Sequence, residues 1–240
     1  MTGQMLSNFL TEGDKVEIQP LEQKIKGEKS KYYISSLQEI LSNDTVEILM
    51  PMEQNKPVLL SLGAKYELVF YNKTGLYQCV AKVIDRYRDN KLVLIRLEFE
   101  TNLRKYQRRE YYRYSCAFEM QVRNLDEEEE KSVTNNQRPE FKEDLLTIPA
   151  VIVDISGGGL RFMSSETFAV GSLIYCTFRL KISERIKELE VVGEILSSGR
   201  LDNRPELCEH RVQFRNIEAR AREDIIKFIF EEERKSRKID

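Results

Sequence analysis

The chain has 240 residues, 41% of them hydrophobic and 32% charged, a globular balance with length enough for two ordinary domains. With 38 basic and 40 acidic residues the net charge is -2, so no overall field favours a polyanion such as DNA, and an anionic ligand needs a local basic cluster. Four scattered cysteines without a CxxC pair argue against a zinc site, and a single histidine leaves little for a histidine-paired nucleophile. Met1 to Phe9 has neither a basic start nor a sustained apolar run, and no apolar stretch approaches the roughly 18 residues of a membrane span. A cytoplasmic protein without membrane insertion is expected.

In chain order, period-two alternation predicts half-buried strands at Lys15–Gln19, Lys31–Ser36, Thr45–Met50, Tyr66–Tyr71, Leu76–Arg86 and Leu92–Glu98. Turn signals separate them at Thr11–Asp14, Ser42–Asp44, Asn72–Gly75 and Arg88–Asn90. Short strands so punctuated predict a small barrel or sandwich for the first hundred or so residues. From Thr101 to Arg113 the pattern breaks, and five cations and three tyrosines follow in close succession. This segment reads as a linker that also enters a second domain.

Tyr114–Val122 opens that domain as a strand. The stretch Asn124–Thr147 contains the acidic run Asp126–Glu130 and the polar run Thr134–Pro139. It is expected to bury little and to form a mobile hairpin insertion, with an acidic docking site as the alternative. Strands resume at Ala150–Ile155, Leu160–Met163, Ser172–Leu180, Glu188–Ser197 and Leu207–Phe214, with Gly157, Gly158, Gly159 and Gly199 read as turns. Ala221, Ile225, Phe228 and Ile229 then recur at helical spacing, predicting an amphipathic helix of about 18 residues that covers one barrel opening. Asn216 is its expected N-cap; Glu218, Glu223 and Asp224 suit its positive end, and Arg234, Lys235, Arg237 and Lys238 its negative end. Cys79, Cys116 and Cys176 sit in apolar runs and read as small buried hydrophobes in a reducing compartment, whereas His210 reads as a surface strand residue.

Two constellations carry possible chemistry. Arg108, Arg109 and Arg113 form the densest cationic cluster, with Tyr111 and Tyr112 between them. Arginine suits bidentate contact with phosphate or guanine and stacks on flat bases. In an extended segment Arg109 and Arg113 share a face about 13 Å apart, and stand closer if the chain curls. The second constellation is Asp154-Ile155-Ser156-Gly157-Gly158-Gly159, followed by Arg161. Asp154 and Ser156 share a strand face beside a glycine turn, where a carboxylate can accept from guanine's donor edge; the plainer reading is an Asx turn closing a hairpin. The glycines lack P-loop spacing and no GxSxG elbow is present, so no catalytic residues are assigned and an enzyme is not expected.

Together, Arg109-Glu110-Tyr111-Tyr112-Arg113 and Asp154–Gly159 resemble the RxxxR and [DN]xSxxG motifs of the PilZ domain. His210–Phe214 followed by a helix ending Phe230–Arg234 is also similar to that family. The resemblance implies a six-stranded barrel with a C-terminal helix that binds cyclic di-GMP, with Arg109 and Arg113 on guanine and phosphate, Asp154 and Ser156 on guanine, and Gly159 at the turn. Arg108 would favour capture of two stacked ligand molecules, and Arg161 would add a phosphate contact. The preceding strands are similar to the N-terminal domain of flagellar brake proteins. The resulting expectation is a mainly β protein: two small barrels in tandem, a split-barrel-like domain over residues 1–102 and a PilZ barrel plus helix over 103–240. Its function would be ligand-gated regulation of a protein partner such as a flagellar motor or stator component, at the flagellar basal body, with no nucleic acid and no metal or cofactor. The rival readings are an RNA- or single-strand-binding barrel, which the net charge disfavours, and a ligand-free scaffold with a salt-bridged linker.

Overall fold

A computed structural model describes residues 5–21, 32–54, 56–90, 92–137, 139–142 and 145–237. Lys31, Arg138 and Lys238, which figure in the sequence expectations, lie outside the described residues, as does the start of the N-terminal segment. The chain divides into two units, Met1–Arg108 and Arg109–Asp240.

The first unit carries β1 (Lys15–Pro20), β2 (Tyr33–Ile40), β3 (Thr45–Leu49), β4 (Met52–Glu53), β5 (Lys56–Pro57), β6 (Lys65–Asn72), β7 (Gly75–Asp89), β8 (Leu92–Phe99) and β9 (Arg104–Tyr106). Its main sheet runs β6-β1-β2-β3-β8-β7-β9, and β6 also pairs with β7, which closes the ring. The alternating apolar positions do what period two requires: Val16, Ile18, Leu68 and Phe70 all point into one buried core. The linker expectation from Thr101 is corrected in part, because Arg104–Tyr106 pairs with Leu76–Gln78 and belongs to this sheet.

The second unit is a closed barrel in the order β10-β11-β12-β15-β14-β13. Its strands are β10 (Tyr114–Asn124), β11 (Ile148–Ser156), β12 (Gly159–Ser164), β13 (Leu173–Ile182), β14 (Arg185–Leu201) and β15 (Arg204–Arg215). Helix α2 (Ala219–Ser236) buries Ile225, Phe228 and Ile229 in the barrel core, as its apolar spacing predicts. Phe228 meets Tyr114 and Phe118 edge-on at 5.9 and 5.4 Å between ring centroids. Among the described residues no helix is long and apolar enough to cross a membrane.

Four expectations need correction. The 124–147 insertion is not a bare hairpin: it contains helix α1 (Glu127–Thr134), started by a capping box between Asp126 and Glu129. Glu129, counted as part of a solvated acidic run, is buried and takes two 2.7 Å hydrogen bonds from Arg123, whose guanidinium lies over Tyr175. A buried Arg–Glu pair with further hydrogen bonds anchors a segment whose composition alone suggested mobility. Asn216 does not cap α2. It adopts a left-handed φ of 47°, and its side-chain amide donates to the Val133 carbonyl at the end of α1, while Glu218 occupies the cap position. Gly199 lies inside β14, not in a turn. Finally, His210 is wholly buried, stacked on Phe162 at 4.6 Å and edge-on to Phe168. Its Nε2 lies 3.0 Å from the Glu166 carbonyl, and burial lowers its pKa from the ordinary value. Cys79, Cys176 and Cys208 are buried and Cys116 half-buried; burial pushes the Cys116 thiol up to about 12 and also raises the thiols of Cys79 and Cys176, away from a reactive thiolate.

Candidate ligand site

The second motif forms the β11–β12 hairpin. Ser156 pairs with Gly159 across the two-residue turn Gly157–Gly158. The Ser156 hydroxyl donates to the Gly159 carbonyl at 3.1 Å and accepts from the Gly158 N–H at 3.4 Å, which locks the corner. The glycines are needed for space and not for a left-handed φ, since none of the three has one. A Cβ on Gly159 would stand 2.0 Å from the Val212 carbonyl oxygen of β15. A Cβ on Gly157 would stand 2.5 Å from the Tyr111 ring, and one on Gly158 3.1 Å from it.

Asp154 and Ser156 sit near this corner at the end of β11, as expected. Asp154 is paired: Arg161, opposite it on β12, donates from Nε to Asp154 Oδ2 at 2.6 Å and from Nη1 to Glu209 Oε2 at 2.7 Å. The hydrogen bond to Asp154 is the main reason the Arg161 pKa is raised. Arg161 therefore bridges two carboxylates and orients Asp154. Glu209, which the sequence reading did not single out, is part of the same cluster.

The arginine segment ahead of β10 bends at Glu110 and Tyr111 instead of running as a strand, so the 13 Å spacing expected for an extended chain does not apply. Arg109 and Arg113 are exposed, and among the described residues neither side chain makes a hydrogen bond or ion pair. Two tyrosines fasten the segment to α2. The Tyr111 hydroxyl accepts from Arg222 Nη1 at 2.6 Å, and the Tyr112 hydroxyl donates to Glu233 Oε1 at 2.6 Å, which raises the Tyr112 pKa. Arg108 belongs to the first unit. It donates to the Tyr71 hydroxyl, lies over the Tyr71 ring at 5.3 Å and reaches Glu17 at 3.6 Å. Burial and the Glu17 contact push the Tyr71 pKa up to about 12.

The structure thus sorts the predicted cations by what they already hold. Among the described residues Arg109 and Arg113 have no side-chain partner, whereas Arg108 and Arg161 are engaged within the protein. Within the second unit it brings the two motifs together through the Tyr111 ring, which lies on the glycine turn. The tyrosines between the arginines could be read from the sequence as packing against the barrel or stacking on a base, and Tyr111 does the first; Arg222 and Glu209 are the residues that sequence reasoning missed. The only signal for Arg222 was a basic residue in the first turn of the terminal helix. No group of histidine, cysteine or acidic side chains able to hold a metal ion occurs among the described residues.

Two family profiles match the chain: one described as the PilZ domain over residues 107–231, and one described as flagellar protein YcgR over residues 11–99. Among solved structures, the chain is similar to the Bacillus subtilis inhibitor of motility MotI/DgrA, with a TM-score of 0.73 at 18% identity, covering 95% of this chain and 100% of that one. It also matches Escherichia coli YcgR in complex with c-di-GMP (TM-score 0.41, 15% identity, 94% of this chain and 86% of that one). A third match is the K. pneumonia MrkH–c-di-GMP complex (TM-score 0.40, 12% identity, 95% and 90%). No curated protein sequence matches the chain. The likeness to the Bacillus subtilis protein is one of fold and spans both units.

Proposed function

The chain belongs to the PilZ domain family, and from that premise and the site we propose that it is a receptor for cyclic di-GMP, not an enzyme, and that it regulates a protein partner in flagellar motility. One observation carries the reading. Two exposed arginines, without a side-chain partner among the described residues, flank a tyrosine seated on the turn that bears Asp154, Ser156 and Gly159. Cyclic di-GMP offers two phosphates and two guanines. Unpaired guanidiniums meet the phosphates and stack on the bases without first breaking an internal ion pair. Asp154, held in orientation by Arg161, accepts from guanine N1–H and N2–H2, and the Ser156 corner fixes the backbone beside it. Gly159 keeps β12 close to β15, so that this corner holds its shape.

Arg108 is the residue that couples capture to the rest of the chain. It is held by Tyr71 and Glu17, so its recruitment by a second, stacked ligand molecule releases contacts of the first unit. That exchange is the physical route by which ligand changes the arrangement of the two units, a population shift driven by differential binding. The partner proposed is a flagellar motor or stator protein, met at the basal body from the cytoplasm.

The test is equilibrium titration of the Arg109→Ala/Arg113→Ala variant with cyclic di-GMP. Each guanidinium makes charge-assisted contacts worth about 1.5–3 kcal/mol, so the pair should cost at least a hundredfold in affinity. An unchanged affinity rejects the site. Small-angle scattering with and without saturating ligand tests the rearrangement, and superimposable curves reject it.

A further inference from the structure

The middle of the arginine segment is built into the second unit. The Tyr111 ring covers the Gly157–Gly158 turn so closely that a methyl group at Gly157 would lie 2.5 Å from its Cδ1 and 3.0 Å from Ile226 of α2. Its hydroxyl is held by Arg222, whose guanidinium carbon lies 5.5 Å from the ring centroid. Arg222 is fixed in turn by the first turn of α2, where its N–H donates to the Glu218 carbonyl at 3.0 Å. Tyr111, the glycine turn and α2 therefore form one packed unit, while the arginines on either side of Tyr111 have no side-chain partner among the described residues.

We propose that Tyr111 and Arg222 are positioning residues for the ligand site: their clamp holds the arginine segment on the β11–β12 turn before ligand arrives, so that Arg109 and Arg113 are presented beside Asp154 and Ser156. The inference rests on the cyclic di-GMP reading given above. Its physical content is preorganisation. A segment ordered during folding does not have to be ordered at the expense of binding energy, and arginines placed four residues apart around a fixed point start near their bound positions. The same geometry explains the pair of glycines. A side chain at Gly157 or Gly158 would displace the ring, not strain the turn. It also gives Arg222 a role that its place in a solvent-facing first helical turn would not suggest.

The rival is that the ring merely occupies space the ligand needs, and the two differ in sign. The experiment has a ligand-free arm and a ligand arm, on the full chain. In the first, 15N relaxation of the Arg109, Glu110 and Tyr111 amides, which lie on the side of the clamp away from the Tyr112–Glu233 bond and β10, is compared in the wild type, Tyr111→Ala, Tyr111→Phe and Arg222→Met. The clamp predicts wild-type order parameters near 0.85 falling below about 0.6 in Tyr111→Ala, with Tyr111→Phe between them. Unchanged order parameters overturn the clamp whatever the ligand does. In the second arm, calorimetric titration with cyclic di-GMP is expected to show a loss of about tenfold or more in Tyr111→Ala, with partial rescue by Tyr111→Phe. Tyr111→Phe, Arg222→Met and their combination should lose similar affinity, because both single changes break the same bond. Tighter binding by Tyr111→Ala overturns the proposal in favour of the rival. A wild type that binds no ligand overturns the receptor reading and with it the ligand half of this proposal, and it is told apart by the wild-type titration alone.

Discussion

Gly159→Ala is the sharpest perturbation the structure offers. The new Cβ would stand 2.0 Å from the Val212 carbonyl oxygen, 3.1 Å from its carbon and 3.2 Å from Gln213 Cα. All three are backbone atoms of β15, so no rotamer change relieves the clash. Non-bonded atoms rest near 3.5 Å, so β12 and β15 must part by about 1.5 Å at this end. That is enough to break ladder hydrogen bonds near the Gly159–Gln213 pairing and to disturb the Ser156 contact with the Gly159 carbonyl. Overpacking costs about 1–3 kcal/mol and each lost bond about 1 kcal/mol, for a total near 3 kcal/mol. For a unit of roughly 130 residues this lowers the melting temperature by about 10 °C. Scanning calorimetry of the full chain measures it, and hydrogen exchange locates the opening in β12 and β15. Gly199→Ala is the control, since a Cβ there meets nothing within 4 Å and its melting point should stay close to the wild type's. Equal melting of the two variants, with unaltered exchange around the hairpin, would refute the reasoning.

Glu129→Gln removes one partner of a buried ion pair and is expected to cost about 3–5 kcal/mol, read as faster hydrogen exchange in α1 and a lower denaturation midpoint, with ligand affinity unchanged. His210 is held neutral by burial, with its pKa below the ordinary 6.5. The unfolded chain therefore takes up this proton first as pH falls, so the contribution of this residue is complete above pH 6.5 and declines below it. Urea midpoints should fall in the wild type as pH is lowered below 6.5, and the decline should be shallower in His210→Gln. Arg161→Met releases Asp154 and Glu209 from their shared partner and is expected to weaken cyclic di-GMP binding about tenfold, with Arg161→Lys recovering only part because an ammonium lacks the planar fork. Full recovery by lysine would show that charge alone matters there.

Much of this was readable from the chain. Alternation located the principal strands, because a half-buried strand imposes period two wherever one face meets a core. Helical spacing of Ala221, Ile225, Phe228 and Ile229 gave α2 its length and its buried face. His210 was misread although the same alternation groups it with Cys208, Val212 and Phe214 on the inward face; the polarity of imidazole outweighed its position. The insertion was misread for a different reason. Its order depends on Arg123 from a neighbouring strand reaching Glu129, a contact that composition does not encode. Asn216 is a good cap by residue type, but its amide is committed to α1, itself an unexpected element. At the site, the two motifs were legible as residues and a tyrosine packed against the barrel was one reading of the segment between the arginines, yet its seat and its partner were not legible. The seating of Tyr111 on the Gly157–Gly158 turn exists only after the barrel closes and α2 brings Arg222 to its hydroxyl.

The central claim is tested most directly by isothermal titration of the full chain with cyclic di-GMP, with GTP and cyclic AMP as controls. A receptor of this kind binds cyclic di-GMP alone at about micromolar Kd or tighter, with a stoichiometry near two ligands per chain if Arg108 takes part in capture. No heat, together with a melting temperature unmoved by excess ligand, would contradict it and leave the chain as a PilZ-fold scaffold.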